Sequence, residues 1–549
     1  MAVGNRQTVE SADVVHRHTA EILTSLCNPA RIAYNELSAR VGQPDWLFGK
    51  FGFLDSMNSS RRSPARALPL ALALAATSCL YLATIRPEHH WGGDFSVYLE
   101  QTRNLLNGLP FSHTSYLGTP EALVQHPSPY PPMLSVLMLP VYAKWGLNYV
   151  ALKALLQVLF LLSLPCFYFI GRLCGLDVAG SLFAMLTFAC SSIMLNMKES
   201  ICSEAPFLLF SGAALALILW VRQSKNDDRR PLLWGLVAGV LLLLAYASRA
   251  AGMALILAFV LSELWSARRL RVFGIAAIFT LAIGLGIYTR WVYNGGLYGN
   301  EFYFSASAYK RNLVGYLKSP AQLWGSVHVN VLRYALAGVS LVLAGIALCR
   351  RTLQRPGVLE FYFWITLAMI TSLTAGAGYR YMLPIFPLYC VYMVEGASFC
   401  AERFVPSRAR IAVAAFYGVF LLGTASNVIA IQTGPVKEGI ARPDFVAACQ
   451  FIQTHTSPDE VLLSWNPRVL AFYTQHRSGL YPKTADFAQF LEKLHALNAA
   501  YLLDFEGDPN RQDVEKFVRA AQPREVFHHG GFHIYRVPAG GNSGVTEVQ

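Results

Sequence analysis

Apolar runs of bilayer-crossing length, about 20 largely apolar residues, recur along the chain. They fall at 67–85, 149–171, 178–196, 205–221, 231–248, 250–266, 272–289, 327–349, 358–376, 381–399 and 411–431. On that length criterion there are about eleven candidate spans. The junctions between them alternate in charge. Arg61, Arg62 and Arg66 precede the first run, Arg172 follows the second, and Arg222, Lys225, Arg229 and Arg230 separate the fourth and fifth. Arg268, Arg269 and Arg271, then Arg350, Arg351 and Arg355, then Arg403, Arg408 and Arg410 fill every second junction after that. Lysine and arginine mark cytoplasmic ends, and one orientation puts all these clusters inside together with the N-terminus.

That parity decides how a further apolar stretch, Pro131 to Lys144, is read. It is short and bounded by prolines, and counting it as a span would push the later basic junctions outside. It is therefore read as an interfacial or re-entrant helix on the outer side. The long outer loop then runs from residue 86 to 148. From about Val436 the pattern changes to that of a small α/β unit. Helices are expected over Asp444 to Thr454, Pro467 to Gln475, Phe487 to Asn498 and Arg511 to Ala521. Strands are expected over Glu460 to Ser464 and Ala499 to Phe505, with a strand pair across Val526 to Val537 that turns at Gly530-Gly531. The fold class is a polytopic α-helical membrane protein with a C-terminal extracytoplasmic α/β domain. Residues 1–65 form a cytoplasmic tail, 66–435 the transmembrane domain and 436–549 the outer domain.

Composition supports this assignment. Of 549 residues, 54% are hydrophobic and 14% charged, against about 25% charged in soluble domains. The net charge of +12 does not point to nucleic acid, because the basic residues sit at the ends of apolar runs and not on one polar surface. The ten cysteines are scattered without a CxxC pair, which fits buried thiols and gives no disulfide framework.

Candidate chemistry concentrates on the outer side. The loop reads Arg86-Pro-Glu-His-His-Trp-Gly-Gly-Asp94, followed by Tyr98 and Thr102-Arg-Asn-Leu-Leu-Asn-Gly108. Asp94 has two readings: an N-cap for the helical pattern from Phe95 to Leu106, or a general base taking the proton of an acceptor hydroxyl. His89 and His90 could ligate a metal with Asp94, but adjacent histidines point apart, and both are read as exposed loop residues. Lys198, Glu199 and Glu204 occupy the next outer turn. They are read either as helix-end charges on a solvated turn or as a phosphate-binding lysine with a second carboxylate or metal ligand. Arg249 and Arg380 lie on the outer side against the positive-inside trend. A phosphate partner would explain both guanidinium groups; snorkelling to headgroups is the other reading. The aromatic stretch from Trp291 to Trp324, with Lys310 and Arg311, is a candidate sugar- or lipid-gripping loop. Lys153, Glu263 and Glu395, inside apolar runs, are read as helix-end or bundle-facing groups.

An aspartate in the first outer loop, a following helix that ends Leu-Leu-Asn-Gly, and then Tyr130-Pro-Pro-Met-Leu together resemble the membrane-embedded glycosyltransferases of the GT-C type. The closest groups are the dolichyl-phosphate-mannose protein mannosyltransferases, the lipid A aminoarabinose transferases and the Rgt-like transferases. The resemblance covers roughly residues 66–430 in layout. It implies Asp94 as catalytic base, a sugar on a polyprenyl phosphate as donor, and single displacement with inversion. Arg380, in a short Arg-Tyr-x-x-Pro pattern, together with Arg249 and Lys198, would receive the departing phosphate. Tyr98, Tyr130, Tyr379 and Tyr381 would line the substrate loop. The common Asp-Glu pair is not kept, since Phe95 follows Asp94. No cofactor follows from these motifs; a divalent cation at Glu199 or Glu204 is left open. The acceptor is a glycan, lipid or protein, the bilayer is the other partner, and the setting is a bacterial inner membrane. The alternatives are a transporter or flippase of a lipid-linked sugar, which would show internal repeats and charged midplane breaks, and a non-catalytic membrane scaffold.

Overall fold

The computed structural model describes residues 67–117, 130–224, 230–267, 271–291, 305–373, 378–482, 486–508 and 511–538. The expected N-terminal tail, the junction residues Arg61, Arg62, Arg66, Lys225, Arg229, Arg268 and Arg269, and loop residues 292–304 lie outside them.

Fifteen α-helices precede the C-terminal segment among the described residues: α1 (Leu68–Ala83), α2 (Asp94–Leu106), α3 (Met133–Trp145), α4 (Tyr149–Leu173), α5 (Val178–Ala189), α6 (Ser192–Met197), α7 (Glu204–Gln223), α8 (Pro231–Ser248), α9 (Gly252–Ala267), α10 (Val272–Trp291), α11 (Ala306–Lys318), α12 (Asn330–Gln354), α13 (Val358–Thr371), α14 (Phe386–Phe404) and α15 (Ala409–Ile429). Each apolar run carries a helix, and local chemistry sets where it starts. The Asn148 side chain accepts the Ala151 N–H at the head of α4, and Asp177 does the same for Gly180 at α5. Pro231 opens α8 at a position where a missing N–H costs nothing.

The run 178–196 is not one helix. Ser191 adopts an extended conformation and accepts the Met194 N–H, ending α5 and capping the short α6. Among the described residues, six stretches are long and apolar enough to cross a membrane: Tyr149–Leu173, Glu204–Gln223, Pro231–Ser248, Val272–Arg290, Asn330–Gln354 and Pro406–Ile429. Helices α1, α5, α9 and α13 are apolar but shorter. At 13 residues, α3 extends about 20 Å, short of the ~30 Å hydrocarbon core. The stretch after Trp291 is not an irregular loop throughout, since α11 and a 3₁₀ turn over Ser319–Trp324 occupy most of its second half.

Three charged residues within the apolar runs, Lys153, Glu263 and Glu395, are paired. Arg222 meets Glu263 at 2.6 Å and Arg351 meets Glu395 at 2.6 Å, while Lys153 meets Glu199 at 2.9 Å. The first two pairs lie where α7 and α12 end. The chain thus runs up and down between one end that bears Asp94, Glu204 and Arg249 and another that bears Arg222 and Arg351.

The C-terminal segment contains α16 (Pro443–His455), β1 (Val461–Ser464), α17 (Pro467–Thr474), β2 (Ser478–Leu480), α18 (Phe487–Ala496), β3 (Ala499–Phe505), α19 (Arg511–Ala521), β4 (Arg524–His529) and β5 (Phe532–Arg536). Strand order is β2-β1-β3-β5-β4. Strands β2, β1 and β3 are parallel, and β5 and β4 add antiparallel to the edge. The expected helices and strands are present, and the turn of the β4–β5 hairpin falls at Gly530-Gly531. Strand β2 was not expected: three residues are too few for alternation to show.

Leu70–Gln549 forms one compact unit, and the α/β segment grips the outer loop. His90 pairs with Gly439 and Tyr116 with Ser478 as isolated β-bridges. The Asn466 amide donates to the Trp91 carbonyl at 2.7 Å. The Trp91 indole stands edge-on to Phe445 and Trp465, with ring centroids 5.1 and 5.6 Å away. Gly439 is required at its bridge, because a Cβ there would lie 2.1 Å from the His89 carbonyl oxygen. Gly439→Ala is expected to lower the melting temperature of the detergent-solubilised protein, at a cost of about 1–3 kcal/mol from overpacking. Unchanged melting would show that the bridge yields freely.

Candidate active site

Asp94 is the first residue of α2. The N-cap is Gly93, and no side chain caps this helix, so the carboxylate is free for other partners. It accepts Arg380 Nη1 on Oδ2 at 2.9 Å. Oδ1 accepts the Tyr130 hydroxyl at 2.9 Å and Arg468 Nη1 at 3.2 Å. The side chain keeps 32% of its surface exposed, which leaves room for a substrate to approach.

Behind this carboxylate stands Glu204, the first residue of α7 and 3% exposed. Its Oε1 accepts Arg380 through Nε at 2.9 Å and Nη2 at 2.8 Å, and it pairs with Arg249 Nη1 at 2.5 Å. The row Arg249, Glu204, Arg380, Asp94, Arg468 therefore alternates in sign without a break. Glu204, the largest influence on Arg380, drives its pKa further upward. Arg380 sits in a 3₁₀ turn over Tyr379–Met382, and Arg249 lies just past the end of α8.

Arg468 was not singled out in the sequence. It is the second residue of α17, and its Nη1 also donates to the Tyr130 hydroxyl at 2.5 Å while the guanidinium lies over the Tyr116 and Tyr130 rings. Burial works against its charge, but Tyr130, Tyr116 and Asp94 outweigh that and raise its pKa. The loop after β1 leaves the sheet between β1 and β3, where connections depart in opposite directions; ligands favour such a switch point. That signal needs the strand order, which the sequence does not supply.

The other candidates divide. Tyr130 joins the cluster. Tyr98 is buried, bonded to Ser203 and edge-on to Tyr130 at 5.1 Å, so it positions Tyr130 and does not line an open surface; burial raises its pKa strongly. Tyr379 is exposed and Tyr381 packs partly into the core. The outer turn is not solvated, since Lys198, Glu199 and Glu204 are all buried. Lys198 is not among the partners of Asp94. It pairs with Glu199 and donates to the Thr84 carbonyl at 2.6 Å. Glu199 also takes Lys153, which donates to the Arg86 and Glu88 carbonyls. This trio braces the start of the outer loop. The histidines are likewise not exposed loop residues. His89 is buried and accepts the Ile201 N–H at 3.0 Å, and His90 bonds the Ser200 hydroxyl at 2.7 Å.

The family model of the dolichyl-phosphate-mannose-protein mannosyltransferases matches residues 65–293. Similar solved structures include the Archaeoglobus fulgidus oligosaccharyltransferase in complex with zinc and sulfate, at 14% identity and TM-score 0.53, covering 79% of this chain and 68% of that one. ArnT from Cupriavidus metallidurans bound to undecaprenyl phosphate has 12% identity and TM-score 0.51, with 86% and 99% covered. Arabinofuranosyltransferase AftD from Mycobacteria has 15% identity and TM-score 0.53, with 88% of this chain but 42% of that one covered. The chain has the GT-C glycosyltransferase fold. No curated protein matches the sequence.

Within this GT-C fold the carboxylates at Asp94 and Glu204 are already held by guanidinium groups, and Glu199 by two ammonium groups. A divalent cation there would have to displace those partners.

Burial, followed by His90, holds the His89 imidazole well below its usual pKa, and burial, followed by Lys153, lowers His90. Free histidine titrates near 6.5, so between the lowered values and about 6.5 the unfolded chain binds more protons than the folded one. The stability these groups contribute is therefore present above about pH 6.5 and is lost as pH falls toward the lowered values. Thermal melts across pH are expected to show a midpoint that drops on acidification below about pH 6.5, with a flatter profile in His89→Asn.

Proposed function

We propose that this chain is an integral-membrane transferase that moves a sugar from a polyprenyl-phosphate donor to an acceptor hydroxyl at the extracytoplasmic face, with inversion. The observation that carries the reading is the Asp94 carboxylate, one-third exposed and hydrogen-bonded to two guanidinium groups that also face the opening. A phosphate offers those groups stronger bidentate bonds than a shared carboxylate does. Donor binding draws Arg380 and Arg468 toward the phosphate and frees the oxygens of Asp94 for the acceptor. Asp94 removes the hydroxyl proton as the oxygen attacks the anomeric carbon. The bond from that carbon to the phosphate oxygen breaks, and the phosphate leaves with the electron pair, its charge met by the guanidinium groups. Lys198, held by Glu199, stays part of the scaffold.

The donor class rests on the matched family and on ArnT bound to undecaprenyl phosphate. The oligosaccharyltransferase tethered with an acceptor peptide (13% identity, TM-score 0.54) keeps a protein acceptor among the choices beside a glycan or lipid. Charge supports this orientation: Arg172, Arg222, Arg271, Arg351 and Arg403 occupy the helix ends away from Asp94, the ends that the positive-inside trend assigns to the cytoplasm. The setting is a bacterial inner membrane, with the N-terminus cytoplasmic and the α/β segment extracytoplasmic.

Purified protein given a radiolabelled polyprenyl-phosphate sugar and an acceptor extract tests this directly. Asp94→Asn is expected to cut transfer by about 10²–10⁴-fold, the usual contribution of a general base, with an unchanged elution profile and melt. Arg380→Ala and Arg468→Ala are expected to weaken donor use as well. Normal turnover in Asp94→Asn would overturn the assignment. Retention at the anomeric carbon would rule out single displacement, and label crossing the membrane without transfer would favour a flippase.

A further inference from the structure

Away from the Asp94 cluster, the β4–β5 hairpin gathers Glu525, His528 and His533. His528 and His533 stand opposite each other in the antiparallel ladder, and their rings stack 4.3 Å apart at 15°. Glu525 Oε1 lies 2.7 Å from His533 Nδ1. One ligand-type atom from each of the three residues lies within 4.8 Å of the others, the one such grouping among the described residues. The bulge between Glu525 and Phe527 helps, because it shifts the register so that Glu525 joins the histidine pair.

A second feature points to a ligand. His533 Nε2 is buried without a hydrogen-bond partner among the described residues, and the nearest acid to it is Glu506, with Oε1 at 3.8 Å. Carboxylates therefore flank both ring nitrogens. Glu506 on the Nε2 side favours the tautomer protonated there, which leaves the Nδ1 lone pair facing Glu525 Oε1, two donors that a shared cation would bring together. Two imidazoles and a carboxylate suit zinc, copper or nickel better than calcium or magnesium, which favour all-oxygen sets. Zinc bonds of about 2.0–2.1 Å place ligand atoms about 3.3 Å apart, and small side-chain rotations bring the three to that spacing.

We propose that the β4–β5 hairpin binds one divalent transition-metal ion through His528, His533 and Glu525, with its remaining coordination positions open to solvent. The ion stitches the edge strand β4 to β5. Strand β5 also carries Phe532, which stacks on Phe505 at 4.6 Å and reaches Trp91 at 6.0 Å, so the ion stiffens the ribbon that holds the indole three residues before Asp94.

The test uses full-length protein in detergent, freed of any affinity tag and chelated, then titrated with Co²⁺ and followed by ligand-field absorption, with Zn²⁺ as competitor. Wild type is expected to take up one equivalent that Zn²⁺ displaces. The double variant His528→Ala/His533→Ala should bind more than about tenfold more weakly, and Glu525→Gln should be weakened too. His529→Ala, whose position alternates to the other face of β4, should bind as wild type does. Melting of the chelated double variant near the wild-type value shows that the loss is not unfolding. Equal uptake and spectra in wild type and double variant, or no saturable uptake by wild type, would overturn the proposal.

Discussion

The arrangement depends on one buried carboxylate oxygen. Glu204 Oε1 takes both Arg249 and Arg380 at the start of α7. An unpaired buried charge costs several kcal/mol, so the three residues are interdependent. Without Glu204 the two guanidinium groups would repel one another and seek the headgroup region. With it, Arg380 is fixed by Nε and Nη2 and turns Nη1 toward Asp94. Three guanidinium groups then face two carboxylates, an excess of one positive charge. The head of α7 adds its own positive end to that excess. The site is therefore poised for an anion while its acid remains reachable.

Rigidity and openness are divided between the two sides of the outer loop. On the bundle side, Lys153 and Lys198 share Glu199 and donate to the carbonyls of Thr84, Arg86 and Glu88, while His89 and His90 lock onto residues 200 and 201. From the α/β side, Gly439, Asn466 and Ser478 hold residues 90, 91 and 116. Between these clamps the chain turns at Gly92 and Gly93 into α2. Gly93 has little space to spare, since a Cβ would meet Asn466 Oδ1 at 3.2 Å. A larger residue there would push α17, and with it Arg468, off the carboxylate.

Much of the fold was legible because membrane helices and alternating α/β elements leave strong periodic signals. The apolar runs fell on helices, and β3 and α19 were found with both ends in place. What was missed turns on local chemistry. Ser191 divides a run that hydropathy alone joins. The candidate site was legible where charge stood against expectation, as at Arg249 and Arg380, because a charge beside an apolar run needs a partner, while Asp94 and Glu204 were singled out by their places in the outer loop and turn. Lys198 met the same criterion, but its partner is the adjacent Glu199. Arg468 could not be found that way. An arginine in a polar segment carries no such penalty, and only the packing of α17 against α2 reveals its reach.

The position of the charges bears on what the fold can do. Asp94 and Glu204 are the first residues of their helices, Arg249 follows the last residue of α8, and Arg380 lies in the turn before α14. All are at one end of the bundle, whereas carriers place their polar sites near the midplane, where helices break. The charged groups nearer the other end are spent on one another, as in Arg222 with Glu263 and Arg351 with Glu395. A lipid phosphate held by Arg380 would stay at the membrane boundary, with its tail alongside apolar helix faces and its sugar beneath the α/β segment. No charged group has to pass through the bundle for an acceptor hydroxyl to reach Asp94. That geometry would suit chemistry at the boundary, and the α/β segment would take part in it directly, because Arg468 completes the shell around the acid.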